Sequence, residues 1–540
     1  YALRAARCAD GSRPIPTNLP VTDFFYKLVC RLRRHIFIKG QQNFVCAQGA
    51  NTTFFIIYYF LFLICKSRTS FSQKGSPPLM KISSMTAEDR VRHLTEAPIP
   101  GLILELSLPT VISMLVTSLY NMVDTAFVGQ LNTQSTAAVG VSFSAMALLQ
   151  AVSFFFGHGS GNYISRKLGA REYDNAERMA ATGFFSAVFC GCVLAVLGVV
   201  FITPISRLLG STDTILPYTV QYLRLIFVGA PFIMGSFVLN NQLRFQGSAS
   251  LAMVGIALGA VLNVALDPLF IFAFDMGVAG AALATVISQF VSFAALLVLT
   301  QKQAAIKIKW SRFTPKAHYF AAIFNGGVPS LCRQGMGSIA TVVLNFSAGA
   351  FGGADADAAI AAMSVVGRIT MFAGSALIGF GQGFQPVCGT NFGAGKKSRV
   401  REAFYFCLKL GCATVGVLSL LGMVFAPQII ALFRNDPKVV EIGTVALRAQ
   451  VITLLLAIWI ILTNMMLQTI GYAGQASLVA ASRQGLFFIP AVFFLPQYFG
   501  LFGVQIAQSV ADVFSFLLAL PLALRVLKSF RTDDEPAQTR

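Results

Sequence analysis

Charge is what this chain lacks most. Only 12% of its 540 residues are Asp, Glu, Lys or Arg, where a soluble domain carries roughly 25%. With 55% hydrophobic residues and a mean hydropathy of +0.69, a soluble globular chain is excluded. Histidine is nearly absent: the four present (His35, His93, His158, His318) form no HExxH. Ten cysteines are scattered without a CxxC pair, four of them before residue 66, so neither a zinc site nor a disulfide framework is expected. No nucleophile stands with a base or metal cluster, and an enzyme is not expected. Acid is scarcer than base, 22 Asp+Glu against 41 Lys+Arg, for a net charge of +19. In a soluble chain that excess would suggest nucleic acid. Here the basic residues fall in short loops between apolar runs, so no nucleic-acid partner is expected; the lipid bilayer is the partner.

What is present is a succession of twelve apolar runs near the ~20 residues that cross a hydrocarbon core: 102–127, 136–163, 179–203, 216–240, 250–273, 277–300, 319–350, 358–391, 403–430, 441–469, 476–497 and 501–526. The expected fold is an all-α polytopic membrane protein with twelve transmembrane helices. Arg166, Lys167, Arg171 and Arg178 follow the second run. Lys302, Lys307, Lys309, Arg312 and Lys316 follow the sixth, and Lys396, Lys397, Arg399 and Arg401 the eighth. The opposite loops carry only Arg207, Arg434 and Lys438. The positive-inside rule puts the basic loops, and with them both termini, in the cytoplasm. Residues 1–84 do not follow this pattern. Their apolar run TFFIIYYFLFLIC (53–65) is short for a span, and Met80 precedes, or Met85 begins, the start-like MTAEDRVRHL. They read as an extension without a role in transport.

The chain repeats itself. SLPTVISMLVTSLYNMVDTAFVG (107–129) aligns with GVPSLCRQGMGSIATVVLNFSAG (327–349), Pro109 on Pro329, and KLGAREYDNAERM (167–179) with NFGAGKKSRVREA (391–403). GVAGAALATVISQ (277–289) aligns with GLFGVQIAQSVAD (500–512). The expected architecture is therefore two pseudo-symmetric six-helix lobes, 95–310 and 317–528, with 529–540 as a cytoplasmic tail. An even number of spans per repeat inserts both copies the same way up, with the repeat axis along the membrane normal.

Ionisable groups inside spans are costly, at least ~2.5–3.5 kcal/mol each, and point to function. The first-lobe candidates are Asp124 and Asp267, with Asn263 one turn before Asp267 on the same helix face. Pro268 lacks an N–H and frees the carbonyl of Val264. Ala281 and Thr285 share a face on the next helix, adding a hydroxyl and a carbonyl. Two carboxylates, an amide oxygen and a hydroxyl suit a hard cation or a shared proton. The second lobe differs. Asn345 stands one residue past the repeat position of Asp124, and the candidates for lining a cavity are Gln334, Asn345 and Arg368, beside Arg333 and Asn464. Arg483 and Asp512 are expected to neutralise each other. The glycine-rich GHGSGN (157–162) and GFGQGF (379–384) lack the Lys-Ser/Thr of a phosphate loop and read as close helix packing or hinges.

Across about residues 95–528 the sequence resembles the multidrug and toxic compound extrusion (MATE) family, on PTVISMLVTSLYNMVDTAFVGQL, the LGA and FGAGK loops, and NVALDPLFIF followed by MGVAGAALATVIS. The resemblance implies a secondary antiporter of the bacterial inner membrane that exports small organic, often cationic and lipophilic compounds in exchange for Na⁺ or H⁺. It needs no cofactor beyond the coupling ion, and a monomer is expected. It carries the family's first-lobe cation site onto Asp124, Asn263, Asp267, Ala281 and Thr285, with Asp124, Asn263, Asp267 and Thr285 as Na⁺ ligands if sodium is the coupling ion. Tyr120 and Asn240 match polar positions nearby. PSLCRQGMGS departs from branches with an acid on the seventh helix, so no second-lobe cation site is expected. The alternative is a lipid-linked saccharide flippase of the wider superfamily, which requires a basic central cavity.

Overall fold

The computed structural model describes residues 85–434 and 436–532; the apolar run 53–65 lies outside them. A short helix α1 (Ala87–Glu96) opens them, capped by Thr86, whose side chain accepts from the Asp89 N–H. The first lobe follows as α2 (Ile99–Val128), α3 (Thr133–Gly169), α4 (Tyr173–Val200), the short α5 (Ile202–Leu208), α6 (Leu216–Phe245), α7 (Ala249–Pro268) and α8 (Gly277–Gln303). The second is α9 (Ala317–Phe351), α10 (Ala356–Gly393), α11 (Lys397–Val424), the short α12 (Ala426–Phe433), α13 (Pro437–Ile470), α14 (Ala473–Ala481) with α15 (Phe488–Phe499), and α16 (Leu501–Thr532). Eleven spans among the described residues are long and apolar enough to cross a membrane. The expected seventh run, now α9, is long enough at 35 residues, but Asn325, Arg333 and Gln334 dilute its hydropathy. That helix faces the other lobe.

Two of the spans among the described residues are interrupted. After Pro268 the chain makes a π turn, Leu269–Ala273, the expected consequence of a missing N–H. The eleventh run is broken by a second π turn, Ser482–Leu486. That turn carries Arg483, whose Nε donates to Asp512 on α16 at 2.8 Å, the pairing anticipated from sequence. Asp512 is 2% exposed and Arg483 20%. Removing one partner strands the other, so Asp512→Asn is expected to destabilise the protein by ~3–5 kcal/mol, while Arg483→Met with Asp512→Leu restores most of it. Thermal unfolding in detergent reads both; equal melting of all three proteins would show that the pair contributes nothing.

The lobes meet at the end that carries the basic loops. There the Arg166 guanidinium donates to the Thr469 carbonyl, Thr469 Oγ1 to Asn162 at 3.0 Å and Ser107 to the Phe380 carbonyl at 3.3 Å. The glycine-rich stretches pack closely, as expected: a Cβ on Gly159 would stand 2.3 Å from the Ile323 carbonyl oxygen, and one on Gly383 2.3 Å from Ser107 Oγ. Helix α1 straps the same end. Arg90 donates to Ser248 and to the Gln303 carbonyl of the first lobe, while Asn391 and Arg399 of the second donate to the carbonyls of Leu94 (3.0 Å) and Ala97 (2.6 Å). Toward the opposite end, the outermost hydrogen bonds between lobes among the described residues are Ser118 to Ser375 (2.8 Å) and Gln334 to Gln150 (3.5 Å). Phe143 and Met371, one or two turns farther out on the same helix faces, are about half exposed. The lobes thus form a cleft closed on the basic side and open on the other.

Candidate cation site

Helices α2, α7 and α8 converge inside the first lobe. Asn263 and Asp267, four residues apart on α7, are stacked as the helical period requires, and the Asn263 amide donates to Asp267 Oδ1 at 3.2 Å. The same amide lies 3.3 Å from Thr285 Oγ1 on α8. Asp267 is 0% exposed. Asp124 on α2 is also buried and close enough for its charge to act on Asp267. Asp124 Oδ1, Asn263 Oδ1 and Asp267 Oδ2 are buried without a hydrogen-bond partner, as is Ser288 Oγ. Buried oxygens left unmatched are expensive. Three acceptors concentrated in one lobe fit a cation or a proton that satisfies them.

Ala281, one turn before Thr285, is fully buried within α8, where its carbonyl belongs to the helical ladder. Among the described residues no group of three or more His, Cys, Asp or Glu side chains could hold a metal. Any cation site here is therefore mixed, two carboxylates completed by an amide and a hydroxyl. A narrow pocket leads to it, lined by Thr117, Tyr120, Asn240, Asn263, Thr285 and Ser288 among others. Asp267 lies behind Asn263 rather than on the lining.

Tyr120 and Asn240 border this pocket, but Asn240 has a second task. Its amide donates to the Ala252 carbonyl at 2.9 Å, and its repeat mate Asn464 donates to the Ala476 carbonyl at 2.6 Å. One amide in each lobe clasps the next helix, so Asn240 is in part a structural clamp. Gln334, Asn345 and Arg368 do not reach the pocket. Gln334 meets Gln150 across the cleft. Arg368 is exposed, seven residues from Ser375 on the same face of α10, and so faces the cleft toward its open end.

Two features escaped the sequence. Tyr222, wholly buried, stands near both carboxylates and sends its hydroxyl to Met146 Sδ at 3.5 Å. Arg244 lies beyond the expected span 216–240. Helix α6 continues to Phe245, so Arg244 is in the interior at 1% exposure. The run LNNQLRF is polar enough to end a span on hydropathy alone. Only its fully buried flanks reveal the continuation.

Comparison with known proteins gives concordant results. The family model MatE matches twice, at residues 109–269 and 334–494. The Multidrug export protein MepA of Staphylococcus aureus (strain MSSA476) is 28% identical over 442 residues, covering 80% of this chain and 95% of MepA. A crystal structure of MATE in complex with MaL6 superposes with a TM-score of 0.77 at 26% identity, covering 82% of this chain and 99% of that one. An outward-facing conformation of a multidrug resistance MATE family transporter of the MOP superfamily superposes at 0.76, also at 26% identity, covering 82% and 98%.

Proposed function

The chain belongs to the MatE family of efflux transporters, and from that premise we propose that it is a secondary antiporter. It exports organic, often cationic compounds across a bacterial plasma membrane, with its basic loops in the cytoplasm. Entry of Na⁺ or H⁺ into the first-lobe pocket drives the export. The observation that carries this reading is the trio of unpartnered buried oxygens on Asp124, Asn263 and Asp267. A site that is incomplete until a cation arrives changes its preferred surroundings when it is filled.

A ligand shifts a two-state equilibrium only by its differential affinity for the two states. Moving the carrier from 1:99 to 99:1 takes about 5.5 kcal/mol. Export therefore requires substrate and cation to favour opposite arrangements of the lobes. In the arrangement described, the cleft opens away from the basic loops, so a compound held there leaves outward. Cation binding between α2 and α7 would alter the course of α2, which also reaches across to Ser375, and so tie the pocket to the cleft wall. The relatives' name, multidrug export protein, supports export of drug-like compounds. The interior carboxylates weigh against a pyrophosphate-carrying flippase.

The test is ethidium efflux from proteoliposomes of the full chain under an imposed Na⁺ or proton gradient. One gradient should drive efflux and the other should not, which names the ion. Efflux indifferent to both gradients would overturn the antiport reading.

A further inference from the structure

The ion pair of the second lobe stands where the first lobe keeps its pocket. Contacts on both sides of it fix the register. Asn240 clasps the Ala252 carbonyl and Asn464 the Ala476 carbonyl, so α7 and α14 start in step. A Cβ on Gly280 would stand 2.7 Å from the Phe270 carbonyl carbon, and one on Gly503 2.5 Å from that of Leu495. The π turn after α7 therefore meets α8 as α15 meets α16. In this register Arg483 falls at Gly259 and Gln484 at Ala260. By the alignment of 277–289 with 500–512, Gln508 falls at Thr285 and Asp512 at Gln289. All four of these first-lobe positions line the pocket.

Both lobes build the same donor set around an interior carboxylate. Asp267 has the Asn263 amide one turn earlier on its helix, and that amide also reaches the Thr285 hydroxyl. Asp512 has the Gln508 amide one turn earlier, donating at 2.9 Å, and the Thr453 hydroxyl of α13 at 3.4 Å. The last partner differs. Asp267 Oδ2 is left without one. Arg483 instead gives Asp512 two prongs of its guanidinium, Nε to Oδ1 at 2.8 Å and Nη2 to Oδ2 at 3.3 Å. A guanidinium is a monovalent cation whose charge is permanent, here held on a side chain of the protein itself.

We propose that Arg483 is a tethered cation: it permanently fills in the second lobe the place that the exchanged cation takes in the first, and its removal uncovers a latent site on Asp512 for a free monovalent cation. A covalently held charge has no gradient to run down and no differential affinity to contribute, so exchange is confined to the first lobe. The turn that carries Arg483 also presses on α9, the repeat mate of α2. A Cβ on Gly485 would stand 2.6 Å from Met336 Sδ, and one on Gly337 2.8 Å from Gln484 Oε1. With that turn pinned by Asp512, α9 keeps one course while α2 responds to the cation. The inference rests on the antiport reading and sets which lobe supplies its coupling ion.

Two measurements on the purified full chain test it. The first is independent of export and uses an Asp267→Asn background, which disables the first-lobe site. There Arg483→Ala should lower the melting temperature, and methylguanidinium replacing choline at constant ionic strength should restore most of the loss. The background protein, and the same background with Arg483→Met and Asp512→Leu, should not respond. The second is linkage: the slope of log apparent Kd for ethidium against log cation concentration counts the cations coupled to substrate binding. It is measured with Na⁺ varied at fixed pH and with H⁺ varied at fixed Na⁺. For the ion that acts on the wild type, the slope should be larger by about one in Arg483→Ala. Arg483→Gln, which removes the charge with less loss of volume, should match Arg483→Ala, and Arg483→Lys should match the wild type. A melting temperature indifferent to methylguanidinium, or a wild-type slope in both Arg483→Ala and Arg483→Gln, would overturn the inference. A wild-type slope of zero for both ions counts against the antiport reading alone, and the melting measurement then decides whether the second-lobe site exists.

Discussion

Replacing Asp267 with asparagine is expected to reduce gradient-driven efflux by about 100-fold, the equivalent of the ~3 kcal/mol that a charged hydrogen-bonding group contributes. The substitution changes little in shape. Asn263 can still donate to the side-chain oxygen it reaches now, so folding should be preserved. What is lost is the unmatched Oδ2 and the charge behind it. A neutral amide gives an entering cation no differential affinity, and without that the gradient cannot bias the lobes. Asp124→Asn should fall in the same direction, because its Oδ1 is the other unmatched carboxylate oxygen. The measurement is the gradient-dependent part of ethidium efflux at matched reconstituted amounts, with substrate binding in detergent as the control for folding. Should Asp267→Asn retain gradient-driven efflux, the carboxylate is a structural hydrogen-bonder and the coupling site lies elsewhere.

A single added side chain at Gly393 is expected to disable the carrier from the opposite end. A Cβ on Gly393 would stand 1.9 Å from the Arg166 carbonyl oxygen, and one on Gly169 2.0 Å from the Thr390 carbonyl oxygen. Both obstacles are backbone of the other lobe, so no side-chain rotation relieves them. The LGA and FGAG motifs, aligned by the repeat, are thus the two halves of one contact in which small residues let the main chains meet. Gly393→Val must part the lobes at the basic-loop end. Overpacking of ~1–3 kcal/mol shifts the closed-to-open balance there by roughly five- to 150-fold. Efflux should fall accordingly. A reporter thiol at Ser165, a buried residue whose Oγ lies 2.0 Å from where a Cβ on Gly389 would be, should become reactive to a polar maleimide in Gly393→Val but not with Gly393 intact. Full efflux with an unreactive Ser165→Cys would show that this closure is not part of the cycle.

Composition and repetition determined much of this protein before any coordinates. A chain this poor in charge has no solvent-facing surface to spare, so the medium, the all-helical class and the spacing of spans follow from the need to satisfy backbone groups in lipid. The two-fold repeat follows from matching motifs in matching loops. Asp124, Asn263 and Asp267 were legible because an interior acid is costly enough to be conspicuous, and the four-residue spacing alone stacks two of them. Thr285 was legible only as a hydroxyl on the next helix; the structure brings it within 3.3 Å of the Asn263 amide.

Tertiary structure decided the rest. Hydropathy treats Arg244 as a loop residue, because a window of neighbours cannot register that Gln382 and His158 arrive from other helices to enclose it. The task of Asn240 is equally invisible, since its acceptor is the Ala252 carbonyl, and a carbonyl looks the same at every position of a sequence. Which end of the cleft is closed depends on glycines meeting backbone across more than 200 residues of chain. Local pattern records which groups must be buried; only packing between distant helices determines what each buried group meets.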